Sequence, residues 1–278
     1  MRDALLYPAY RRAVDADAFA ETYAAYLLAM VATHYLLAPA LLARLSGTYR
    51  RLQAAPASAA KDDDLLQWSN YTCSLAHSVV FFVTAVADFA DLDFTCASWR
   101  STTPFQEVCY AVMLAYLTYD TTFVFVTFAR GSITLPMFLG YAAHHLLGIL
   151  SYVIVLGAGQ GGEFGTYIHF SELSTVFLHT RWFCVATNRS DHPATLVVSA
   201  LFALTFTATR VALPAYLIAK QREVLGEWRE PWRGEAVLLI TLVFFALQLT
   251  WFVEVAREVQ KGVLKLLGAP PTAKEKVR

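Results

Sequence analysis

Two adjacent histidines, His144 and His145, stand inside "GYAAHHLLGILSY", residues 140–152, a run otherwise made of apolar or small residues. An imidazole with a pKa near 6.5 exchanges protons at neutral pH, and its ring nitrogen can attack a thioester, so the pair suits general-base or nucleophilic chemistry. Adjacent helical residues point about 100° apart, so the two rings cannot aim at one atom. One is expected to react or bind and the other to brace. A second stretch, "IHFSELSTVFLHTRWF", repeats His169, Glu172, Val176 and His179 at three- and four-residue spacing, on one helical face with Thr175 at its border. A carboxylate such as Glu172, set beside an imidazole, fixes its tautomer and stabilises the imidazolium.

The elements that must position these groups are membrane helices. The 278 residues are 57% hydrophobic and 16% charged, with a mean hydropathy of +0.45, which excludes an ordinary soluble domain. Seven windows reach the roughly 20 apolar residues needed to cross a bilayer, at about 19–45, 71–88, 105–128, 135–156, 164–185, 194–219 and 236–259. The acidic, Ala/Ser-rich "LQAAPASAAKDDD" reads as a loop, and "GAGQGGEFG" as a glycine-rich turn. With lipid as solvent, the histidines must face the bundle interior or a cavity. At 1.5 Å per residue, His144 falls about 14 Å from the cytosolic end, between Glu172 at about 20 Å and His179 at about 9 Å. Tyr119, Asp120, Arg210 and Gln248 add isolated polar groups; Asp120 and Arg210 lie deep and each need a partner, with pairing to one another as one option. Asn70 and His77 lie toward the cytosolic end of their helix, at headgroup depth. Pro214, four residues after Arg210, is expected to kink its helix, and Trp182, Trp228 and Trp232 read as interfacial anchors.

No cleaved signal peptide is evident at the N-terminus. Lysines and arginines divide twelve to eight between the two faces, which predicts a cytosolic C-terminus and an N-terminus across the membrane. The tail "KEKVR" resembles the dilysine signal that returns membrane proteins to the endoplasmic reticulum, through Lys274 and Lys276; a solvated basic tail is the plainer reading. Cys73 and Cys184 read as packing residues, whereas Cys96 and Cys109 flank one non-cytosolic loop where a disulfide survives. A formal net charge of zero gives no indication of a nucleic-acid partner.

The ordered blocks "LLQWSNYTCSLAHS", "YLTYD", "HHLLGILSY", "SELSTVFLHTRWF", "TRVALPAYLI" and "LQLTWF" resemble those of the TLC-domain family, which includes the ceramide synthases. The resemblance covers about residues 65–257. It implies an all-α polytopic protein whose last six helices form a barrel-like bundle around a lipid-sized cavity, open toward the cytosol, with the histidine pair inside. It also implies that His144 and His145 match the catalytic pair, and that Glu172 falls where the first aspartate of a histidine-aspartate motif is expected. Thr175 replaces the second acid and Ser171 the motif histidine, and the wording "ELST" and "RWF" looks closer to the orphan TLC members associated with membrane-lipid composition.

The expected organisation is an N-terminal segment with the first helix and a cytosolic loop (1–64), a TLC domain of six helices (65–260) and a basic cytosolic tail (261–278). The family activity implied is N-acylation of a sphingoid base by a fatty acyl-CoA, with no bound cofactor and acyl-CoA as cosubstrate. His144, His145 and Glu172 are the expected catalytic groups, and Tyr119, Asp120, Tyr152, His169, Thr175, His179, Arg210 and Gln248 the substrate-binding ones. The alternative is a noncatalytic lipid-binding sensor or regulator. Membrane desaturase chemistry needs more histidines at box spacings than are present, and neither a repeat nor a broken helix pair supports a transporter.

Overall fold

The computed structural model describes residues 15–91 and 102–266, and all regular structure among them is helical. Among the described residues nine α-helices follow in order: α1 Ala16–Leu45, α2 Gly47–Ala54, α3 Ala59–Asp91, α4 Pro104–Ala129, α5 Leu135–Ala158, α6 Gly162–His169, α7 Glu172–Ala186, α8 Pro193–Glu223 and α9 Pro231–Leu266, with one 3-10 turn at Leu225–Glu227 between the last two. Six of these, α1, α3, α4, α5, α8 and α9, are long and apolar enough to cross a membrane, so the protein is a multi-pass, all-α membrane protein. Cys96, of the candidate Cys96–Cys109 bridge, and the tail with Lys274 and Lys276 lie outside the described residues. Cys109 itself is buried within α4.

The starts and stops follow local chemistry. Thr103 and Gln106 close a reciprocal capping box at the N-terminus of α4, with Pro104 at its first position. The three aspartates expected in a loop instead occupy the first turns of α3, where the helix dipole favours negative charge. Gly159 and Gly161, at φ +58° and +86°, make the turn from α5 into α6.

Two spanning helices carry a wide, π-type turn, at Thr33–Leu37 in α1 and Thr207–Ala212 in α8. Each ends just before a proline, Pro39 or Pro214. The ring removes one N–H and crowds the carbonyl four residues back, so the backbone closes over five residues instead: Ala38 donates to Thr33, and Leu213 to Ala208. The expected kink at Pro214 thus takes the form of an extra residue in one turn. Each wide turn carries one large polar residue, His34 or Arg210, and both are buried, while Tyr35 and Leu36 beside His34 are 67% exposed on the lipid side.

The window at 164–185 departs most from its expected single helix. It is broken between α6 and α7 by a tight turn in which Phe170, Ser171, Leu173 and Ser174 each donate three residues back. His169 and Glu172 flank this turn and take different partners, His169 among Phe81 and Tyr110 and Glu172 at Ser78 and Arg210.

The helices pack with α1 against α4, α3 against α7, and α9 against α5. Lipid supplies no hydrophobic drive between helices, so close packing and internal hydrogen bonds must hold the bundle. Its centre is accordingly aromatic and polar: Phe81, Tyr110, Tyr116 and Tyr152 are buried with His77 and His169. Tyr110 donates to the Gly162 carbonyl at 2.9 Å, and it fits because Gly165 has no Cβ, which would collide with the phenol. Asn70 and His77, expected at headgroup depth, lie inside this core. Two of the expected tryptophan anchors are also packed: Trp182 against Trp68 and Tyr71, and Trp228 over Gly161 and Gly234. Trp232 is exposed and donates to Glu230.

Candidate functional site

The two histidines of α5 occupy different surroundings, as the 100° between them requires. His145 is 5% exposed and held at both nitrogens, with Nε2 3.2 Å from Asp120 Oδ2 and Nδ1 3.1 Å from Thr121 Oγ1, both on α4. A carboxylate only accepts, so Nε2 carries the hydrogen; in the neutral ring Nδ1 then accepts from the threonine. Asp120 Oδ1 in turn accepts from Asn70 Nδ2 of α3 at 3.3 Å. His144 points toward α9, against the rings of Phe244 and Trp251 at 4.7 and 5.2 Å between centroids. Its Nδ1 lies 3.3 Å from Gln248 Nε2, and its Nε2 has no partner among the described residues.

Glu172 does not meet either histidine. Its Oε2 accepts from Ser78 of α3 at 2.9 Å, and its Oε1 lies 4.0 Å from Arg210 Nη2. Arg210 also donates through Nε to Ser174 at 2.7 Å and through Nη2 to Thr175 at 2.8 Å. Thr175, where the family pattern expects a second acid, thus serves as a neutral acceptor for a buried guanidinium. Asp120 and Arg210 are not partners; each has its own set.

A cavity of about 580 Å³, including its open mouth, lies between α5, α6, α8 and α9. Apolar groups such as Leu147, Leu213 and Ile240 line it together with Arg210, Ser151, Tyr152 and Phe244. Neither histidine of the pair is in the lining. Phe244 stands between, with one ring both on the cavity wall and against His144, whereas the resemblance implied a pair inside the cavity.

The remaining expected residues fall elsewhere. His169 sits among Phe81, Tyr110 and Tyr152, and its two nitrogens are buried with no partner among the described residues, as is the Tyr152 hydroxyl. His179 packs against Tyr71, with the ring centroids 4.9 Å apart and the planes tilted by 38°. Tyr119 donates to Asn70 Oδ1 at 2.8 Å, and His34 Nδ1 lies 2.7 Å from the Tyr119 oxygen.

Sequence reasoning missed His34, Ser78, Thr121 and Ser174 as members of these networks. His34 carried a usable signal, an imidazole in an apolar helix five residues before a proline. The three hydroxyl residues did not, since Ser and Thr are common in membrane helices and most bond their own backbone.

Comparison with known protein families matches residues 67–257 to the TLC domain. The chain belongs to the TLC-domain family, and it is a membrane protein of lipid metabolism or sensing. No solved structure matches it.

Proposed function

We propose that the protein transfers an acyl group from a fatty acyl-CoA to an amine-bearing membrane lipid, with sphingoid bases as the acceptor class and His144 as the proton-handling residue. The observation that carries this reading is the unequal commitment of the pair: both nitrogens of His145 are held, and Nε2 of His144 is not. Gln248 sets the His144 tautomer. With its amide nitrogen on Nδ1, the ring carries its hydrogen on Nε2 and donates to a thioester carbonyl oxygen. Turned over, the amide oxygen accepts from Nδ1–H and Nε2 becomes a base. The Gln248 oxygen is buried without a partner in the first orientation, which favours exchange between the two.

In the transfer, the acceptor nitrogen adds to the thioester carbonyl as His144 Nε2 takes its proton; the C–S bond then breaks and the proton passes to the departing thiolate. One C–N bond replaces one C–S bond. The cavity beside Phe244 holds the acyl chain, and no bound cofactor takes part. Residence in the endoplasmic reticulum with a cytosolic C-terminus completes the proposal, since acyl-CoA is delivered from the cytosol.

One observation favours a second reading, a lipid sensor without chemistry: the cavity reaches Arg210 but neither histidine. The deciding experiment incubates purified protein with a panel of acyl-CoAs and lipid amines, followed by mass spectrometry of products and of copurified lipid. Acyl transfer by wild type and its loss in His144→Ala supports the enzyme. No product with any pair, and a copurified lipid that changes in Phe244→Ala, replaces it with the sensor.

A further inference from the structure

We infer that His34, on the N-terminal helix outside the matched TLC domain, is a positioning residue that orients the Asp120–His145 pair through a relay of hydrogen bonds. The inference rests on the role proposed for the histidine pair.

Four helices contribute to the relay, and its polarity follows from which groups can donate. Asp120 accepts only, so the face of Asn70 turned to it must be the amide nitrogen, 3.3 Å from Oδ1. That turns Asn70 Oδ1 toward Tyr119, whose hydroxyl spends its single hydrogen there at 2.8 Å. The Tyr119 oxygen is then left as an acceptor, so His34, 2.7 Å away, carries its hydrogen on Nδ1. From the other side, His145 Nε2–H reaches Asp120 Oδ2 at 3.2 Å, and Thr121 Oγ1 lies 3.1 Å from Nδ1, to which it donates in the neutral ring. Two chains of donors converge on one carboxylate, and His34 is the terminus of the longer one.

The local backbone fits this. His34 is 4% exposed, on the buried row of α1 between Met30 and Ala38 at four-residue spacing, while Tyr35 and Leu36 beside it are turned outward; the ring lies within the wide turn before Pro39. The ring is also packed against Tyr119 and Phe123 of α4. Tyr23 and Tyr26, on the same helix, bond to Thr118 at 2.9 Å and to His77 Nδ1 at 2.9 Å, so α1 is tied to α3 and α4 at three heights. Without the His34 donor, the Tyr119 hydroxyl can turn away from Asn70. The Asn70 amide is then free to rotate and present its oxygen to Asp120, which disfavours the carboxylate and loosens the tautomer of His145.

The test is ¹⁵N spectroscopy of full-length, histidine-labelled protein in lipid nanodiscs, with His145 assigned by loss of its signals in His145→Gln. Wild type should show one neutral tautomer of His145, hydrogen on Nε2. Tyr119→Phe, which removes one oxygen, and His34→Leu should each convert it to a mixture, while His34→Asn, whose amide nitrogen stands near the place of Nδ1, should preserve it. An unchanged His145 tautomer in both Tyr119→Phe and His34→Leu overturns the inference, as does a mixture already present in wild type. The ring signals need no turnover, so this outcome is independent of whether acyl transfer is found. Where transfer is found, His34→Leu should lower kcat about 10-fold with KM unchanged, and His34→Asn should restore it.

Discussion

Arg210→Met should be among the most destabilising single changes in the protein, and Glu172→Gln should partly rescue it. Methionine keeps the apolar stem of the arginine and removes only its charged fork. At 4.0 Å, an ion pair is worth about 4 kcal/mol at an effective dielectric of roughly 20, before desolvation is subtracted. The side chains are 10% and 12% exposed, so solvent screens the pair little, and removing one partner strands the other. Arg210→Met leaves Glu172 with the Ser78 hydroxyl alone and leaves Ser174 and Thr175 without the guanidinium, a loss of about 3–5 kcal/mol. Glu172→Gln is milder, about 1–2 kcal/mol, because Arg210 keeps two hydroxyl acceptors and the amide still meets Ser78. In the double variant neither charge is left behind, so it should be about 1–3 kcal/mol more stable than the sum of the single losses. Reversible denaturant unfolding of the four proteins in the same detergent gives the cycle. Additive losses, with a coupling below about 0.5 kcal/mol, would refute the claim that these two charges hold each other at 4.0 Å.

The histidine pair should separate by readout: His145→Ala strands Asp120 and Thr121 and lowers stability by about 2–4 kcal/mol, whereas His144→Ala loses about 1–2 kcal/mol but cuts acyl transfer about 100- to 10,000-fold. Equal effects on both measures would show that the two rings share one role. Gly165→Ala should lower the melting temperature by forcing its Cβ into Tyr110, and in a Tyr110→Ala background Gly165→Ala should cost nothing further; a stable Gly165→Ala protein would mean that Tyr110 is free to move. For topology, a glycosylation acceptor placed at the C-terminus should remain unmodified, and its modification would reverse the orientation. Changing Lys274 and Lys276 to Ser should release the protein from the endoplasmic reticulum toward later compartments, and an unchanged distribution in cells would show that the tail carries no retention signal.

By itself the sequence determined that this is a membrane-spanning helical protein, because a span needs only a sufficient run of apolar residues and the bilayer does the rest. It also made His144, His145, Asp120, Glu172 and Arg210 visible, since an ionisable group in an apolar run is conspicuous whatever its partners. The ordered motifs led to the TLC family, and residues 67–257 match that domain. Partnership was not legible. Helical periodicity put His169, Glu172 and His179 on one face, but each meets a different set of side chains: His169 lies among Phe81 and Tyr110, Glu172 meets Ser78 and Arg210, and His179 lies against Tyr71. Glu172 looked like the brace of a histidine and is instead bound to Arg210, while Asp120 takes His145. Sequence spacing orders residues along one helix, whereas rotation and height between helices are set by the whole bundle, and a hydrogen bond depends on both to within a few tenths of an ångström. His34 is the sharpest instance: it stands in the apolar run read as the first span, but only the packing of α1 on α4 brings its ring to Tyr119, and through it to Asp120.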